Sequence, residues 1–176
     1  MDAAIMDVYR DYSYICAEYV VCEKPGEWVG AVTRVDKEVV KKLINEAEEA
    51  LDEIRKILAI ELSSFVGNRS LRFSLRYCVI MVVEALADLA VAILEKDFGV
   101  AVESYRDAFL RLAEKGVISA ETAQSMTRLV GLRNILVHRY WSVDDMRIYN
   151  DAKRSGVKAV EKFMEEALSY VEAKDP

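Results

Sequence analysis

Between Val39 and Phe65, apolar side chains recur every three or four residues, at Val39, Val40, Leu43, Ala47, Leu51, Ile54, Leu58, Leu62 and Phe65. Charges fill the positions between them, which is the 3.6-residue rhythm of an amphipathic helix. The spacing predicts one long helix over 36–66, with Asp36 as its N-cap and Gly67-Asn68 as its stop. A second helix is predicted from about Ser70 to Lys96, with Phe73, Tyr77, Ile80, Met81, Leu86, Leu89, Ile93 and Leu94 mostly inward. A third runs from about Glu103 to Lys115 and ends at Gly116, and Ser119 caps a fourth. Ser142-Val143-Asp144-Asp145 reads as a fresh cap, and apolar spacing resumes from Val157 through Ala167 to Val171. No run after residue 36 alternates like a strand, and only two prolines and seven glycines interrupt the chain. The expectation is all-α, an antiparallel bundle of four or five helices.

The first 35 residues read differently. Ile5, Val8, Tyr12, Ile15 and Tyr19 keep a helical rhythm, whereas YSYICAEYVV also suits a strand, and Pro25-Gly26 ends either. They are expected to form an N-terminal extension (1–35) to a helical domain over 36–176.

Composition narrows the function. A net charge of −6 argues against indiscriminate coating of nucleic acid, although it leaves room for a local basic site. Cys16, Cys22 and Cys78 form neither a disulfide framework nor a metal spacing. With no cleavable apolar leader, the reading is a reducing cytoplasm. Tyr77 to Leu94 is the most membrane-like segment, but Glu84 and Asp88 stand in its middle, so no membrane span is expected. These two acids, one turn apart, read as a solvent-facing stripe and are left outside the site, the alternative being that they line a cleft or neutralise the arginines of residues 133–140. Tyr105 and Tyr149 read as packing residues.

The one histidine lies in RNILVHRY, residues 133–140. On a helix, Asn134 and His138 share a face, and Arg133 is long enough to reach round toward a common site. Leu129, Leu132 and Leu136 form an apolar stripe that holds the helix to the bundle. Residues 127–162 carry eight basic against four acidic side chains, whereas 36–66 carry eight acidic against five basic. The positive charge of an acidic chain thus collects around its single histidine, which suits a phosphate-containing ligand or one RNA strand. Spacing alone leaves open a structural histidine whose arginine neighbours favour the negative end of a helix dipole.

Arg133-x4-His138-x-Tyr140 is similar to the R-x4-H-x-Y signature of the HepT branch of the HEPN superfamily. The likeness extends over 104–149, through the Gly116-Val117-Ile118 corner, the Gly-Leu-Arg-Asn lead-in and Asp144 to Tyr149, and Glu84 to Asp88 fits the second family helix. In all it covers about residues 36–172. The resemblance implies an all-helical HEPN bundle that forms a homodimer and acts as a metal-independent endoribonuclease toxin, with no cofactor. It implies as partner a minimal nucleotidyltransferase antitoxin of the MntA kind, which adenylylates the motif tyrosine, here Tyr140. Carried over, His138 moves the proton, Arg133 stabilises phosphoryl charge, and Asn134 orients the histidine or a phosphate. The alternative for Tyr140 is an aromatic packed on Trp141. The alternative for the whole is a non-catalytic module that binds a nucleotide or docks a nucleotidyltransferase.

Overall fold

The structure is a computed structural model, and it describes residues 34–174. The readings made for residues 1–33, including Cys16 and Cys22, lie outside the described residues. Among those described there is no strand, and five helices have ten residues or more. These are α1 (Lys37–Leu58), α3 (Arg69–Phe98), α4 (Tyr105–Glu114), α5 (Ala120–His138) and α7 (Val157–Ala173). The short α2 (Leu62–Gly67) and α6 (Asp145–Asp151) join them.

Helix α3 is the axle. It packs most extensively on α1 and also on α2, α4 and α5, while α7 closes the bundle against α5 and α1. Leu86, Leu89, Ile93 and Leu94 of α3 are wholly buried, with Leu51 and Ile57 of α1, Phe109 of α4, Met126 of α5 and Phe163 of α7. Phe109 meets Phe163 edge to face at 5.3 Å. By length and hydropathy α3 could cross a membrane, but more than half of its most apolar window is buried by the bundle. It is a core helix. Cys78 is a free, buried thiol on the same helix.

Local chemistry sets the boundaries. Asp36, Ser119 and Asp144 accept from the backbone N–H groups of Glu38, Thr122 and Arg147, so all three predicted caps form. Asn68 is a cap too, accepting from Ser70 and Leu71 at 3.0 and 3.2 Å to start α3. Gly99 and Gly116 adopt positive φ (63° and 73°) just past α3 and α4, a conformation that costs a β-carbon-bearing residue about 1–2 kcal/mol.

Two expectations need correction. The helix predicted over 36–66 breaks at 59–61; its apolar face continues across the break, so periodicity does not register it. The freed carbonyls of Leu58 and Ile60 both receive the buried Tyr149 hydroxyl, at 3.0 and 2.5 Å. Tyr149 also packs on Phe65 at 4.9 Å. Tyr149→Phe is therefore expected to cost about 1–2 kcal/mol, read as a melting temperature about 2–8 °C lower. An unchanged melting temperature would show that water replaces the hydroxyl at no cost.

The second correction concerns Phe73 and Tyr77, predicted inward but 46% and 63% exposed. They lie in the first three turns of α3, and the apolar residues buried with α3 begin at Leu75 and Cys78 on its other side.

Candidate active site

The motif occupies the last turns of α5. Leu136 is buried and Leu129 and Leu132 pack partly against the core, so the predicted apolar stripe holds this helix in place. At the other end of α5, Ser119 N–H donates to Glu166 of α7 at 2.9 Å, and Lys162 of α7 meets Glu121 at 2.9 Å. Asn134 and His138 are exposed one turn apart. No aliphatic wall seals the imidazole.

Arg133 leans the other way, toward α3. Its Nε donates to Glu84, its Nη1 donates to Asn134 Oδ1 at 3.2 Å, and its guanidinium lies 6.0 Å from the Tyr105 ring. The Tyr105 hydroxyl stands 2.8 Å from Glu84 Oε2 and 3.2 Å from Asp88 Oδ1. Burial, followed by these carboxylate acceptors, pushes the Tyr105 phenol well above its ordinary range, so it stays a donor. Partial desolvation, opposed by the Tyr105 hydrogen bond and aided by the Glu84 charge, raises the Asp88 carboxyl.

Glu84 thus neutralises Arg133, the alternative the sequence also carried, while Asp88 is exposed as a solvent-facing stripe requires and joins Glu84 only through Tyr105. The signal was available: an acid pair interrupts an otherwise apolar helix, and such charges need a partner inside a bundle. Glu84 fixes one edge of the Arg133 fork and leaves its other nitrogens to face Asn134 and solvent.

After His138 the chain turns sharply. Arg139 N–H closes α5 on Ile135 at 2.8 Å, and residues Tyr140–Ser142 form a 3-10 turn whose Ser142 N–H returns to Arg139 at 2.9 Å. Arg76 of α3 clamps this turn from outside. Its Nη1 donates to the Tyr140 carbonyl at 3.1 Å, while Nε and Nη2 grip Asp145 at 2.6 and 2.8 Å. A forked pair of this kind fixes angle as well as distance. Arg72 joins it at 3.2 Å from Asp145. Nothing in the sequence pattern singled out Arg76, because its partners lie more than sixty positions away.

Tyr140 is 62% exposed and packs edge to face on Trp141, ring centres 5.3 Å apart. The predicted aromatic pair therefore forms, and Tyr140 stays largely exposed. The basic segment is partly neutralised, since Arg147 and Arg154 meet Asp151 and Lys162 meets Glu121. A groove of about 930 Å³ lies along another flank of α5, between Leu129 and Leu132 and the residues Val157 and Val160. It includes none of Arg133, Asn134, His138 and Tyr140. The motif stands instead on an open edge.

This arrangement, an oriented guanidinium beside an exposed imidazole on a helical bundle, coincides with a match to the family model "Ribonuclease HepT-like" over residues 47–167. The chain belongs to the HepT-like ribonuclease family. A curated protein of Archaeoglobus fulgidus, described as a candidate RNase, is 34% identical over 101 residues, covering 57% of this chain and 74% of that one. The tri-AMPylated HEPN toxin of Shewanella oneidensis in complex with MNT antitoxin is similar at a TM-score of 0.71 and 22% identity. That match covers 76% of this chain and 99% of the toxin. The cytosolic Bacillus subtilis protein YutE, of unknown function, gives 0.69 at 19% identity, over 81% of this chain and 95% of YutE. At these identities the solved structures establish the HEPN fold for this HepT-like chain.

Proposed function

We propose that this HepT-like chain is a metal-independent endoribonuclease toxin, held in check by a cognate minimal nucleotidyltransferase that adenylylates Tyr140. The observation that carries the reading is the orientation of Arg133 by Glu84 and Asn134, with His138 exposed one turn beyond. In this mechanism His138 takes the proton of a ribose 2′-hydroxyl, whose oxygen attacks the adjacent phosphorus. The 5′-oxygen of the next nucleotide leaves with a proton, and a 2′,3′-cyclic phosphate remains. Arg133 stays protonated and stabilises the charge gathering on the phosphoryl oxygens. RNA is selected over DNA because the attacking oxygen is the 2′-hydroxyl. In the proposed homodimer the two motif edges face one cleft, so one imidazole serves as base and the other as acid.

Tyr140 stands two residues beyond His138 with its ring exposed. An adenylyl group there adds bulk and a phosphodiester charge where the substrate phosphate must sit. The toxin–antitoxin character of the structurally similar Shewanella oneidensis complex supports the same regulation here. After co-expression with a cognate minimal nucleotidyltransferase, a peptide containing Tyr140 is expected to gain the mass of one or more adenylyl groups. A Tyr140 peptide that stays unmodified beside an active nucleotidyltransferase removes this part of the proposal.

One observation favours a second reading. Glu84 already offsets part of the Arg133 charge, which suits a module that docks a nucleotide or a nucleotidyltransferase without turnover. Tight RNA binding without cleavage supports that module, whereas His138-dependent cleavage supports the nuclease.

A further inference from the structure

An aromatic and arginine-rich face runs along α3 toward the motif, and no role in the chemistry above uses it. Phe73, Tyr77, Ile80 and Glu84 are spaced four, three and four residues apart, so they share one side of the helix. Glu84 is the residue that holds Arg133. Tyr77 lies seven residues before it, about 10 Å along the axis at 1.5 Å per residue. That span matches roughly three stacked nucleotides at about 3.4 Å each.

The rings are set out for contact. Phe73 has Arg69 at 5.0 Å and Arg76 at 5.5 Å from its centre. The same Arg76 grips the Tyr140 carbonyl, and Trp141, 74% exposed, extends the face beyond Tyr140. Arg76 thus ties the α3 aromatics and the post-motif turn into one patch. Large apolar rings left this open on a single chain mark a surface that something covers.

We propose that Phe73, Tyr77 and Trp141 form a stacking platform that carries single-stranded RNA bases into the Arg133–His138 edge. The proposal rests on the nuclease reading for its substrate. Every base offers a π-face, so such a platform grips RNA without choosing sequence, and neighbouring arginines attract the backbone. Charge favours RNA over a second copy of the chain. A two-fold pairing through this patch brings two copies of the same arginine-rich surface together, with Arg69, Arg72 and Arg76 on each side, and Asp145 is already engaged by Arg72 and Arg76.

The test uses the full chain carrying His138→Ala, produced without nucleotidyltransferase, and a short fluorescein-labelled single-stranded RNA at fixed salt. Tyr77→Ala and Trp141→Ala are each expected to weaken binding by about 5- to 150-fold, the range for losing one base–aromatic stack. Tyr77→Phe keeps the ring and is expected to keep the affinity. RNA should also quench Trp141 emission. The proposal is overturned if the ring deletions bind RNA as tightly as their parent, if the parent binds no RNA, or if the deletions break a dimer without changing RNA affinity. Failure of the nuclease reading looks different: the chain then fails to cleave RNA, while ring-dependent binding persists.

Discussion

His138→Ala is expected to slow RNA cleavage by about 100- to 10,000-fold, the usual worth of a positioned acid–base group. The loss should fall on the rate of the bound complex, because the imidazole acts on a proton in flight and contributes little to holding the strand. His138 is exposed at the end of α5, so its removal leaves no cavity. The melting temperature is therefore expected to match that of the parent, within the roughly 0.5 kcal/mol usual for surface substitutions. Rates measured under single turnover separate this outcome from weakened binding. Unchanged cleavage would remove His138 from the chemistry.

The second large effect belongs to Arg133. Its alanine variant is expected to lose about 100- to 1,000-fold in cleavage, the range for one preorganised donor at a developing oxyanion. Arg133→Lys should recover little. A lysine has one charged centre, whereas the arginine fork donates to Glu84 and Asn134 while presenting further N–H groups to a phosphate. Glu84→Gln keeps an acceptor and the side-chain volume, so its loss should be smaller than that of Arg133→Ala. If Glu84→Gln proves the worse of the two, the carboxylate itself takes part in proton transfer and the roles must be reassigned.

Much of this was legible before any coordinates. Apolar rhythms and caps together predicted the five longer helices, and the caps at Asp36, Ser119 and Asp144 fell where small polar side chains precede apolar spacing. The motif was legible because Asn134 and His138 share a face whatever surrounds the helix. What escaped was tertiary. The break at 59–61 preserves the apolar face, and the hydroxyl that satisfies it comes from Tyr149, about ninety positions away. The π-helical turn at Ala152–Gly156 likewise leaves the spacing on either side intact.

The site shows the same division. Glu84 and Asp88 were visible as an anomaly on an apolar helix, but their partner Tyr105 sits on another helix and could not be paired by spacing. Phe73 and Tyr77 read as inward because they continue the three-four apolar spacing of α3. Their exposure follows from which neighbours reach the first turns of α3, and that is a fact about the assembled bundle.

The central claim is that one guanidinium and one imidazole on this edge cleave an RNA phosphodiester through the neighbouring 2′-hydroxyl. The most direct measurement is incubation of the purified, unmodified chain with end-labelled RNA in excess chelator, followed by analysis of the product ends. The account predicts fragments ending in 2′,3′-cyclic phosphate, abolished by a 2′-deoxy substitution at the cleaved position and by His138→Ala. Intact RNA with the wild-type chain, or the same fragments from the His138→Ala chain, would contradict it.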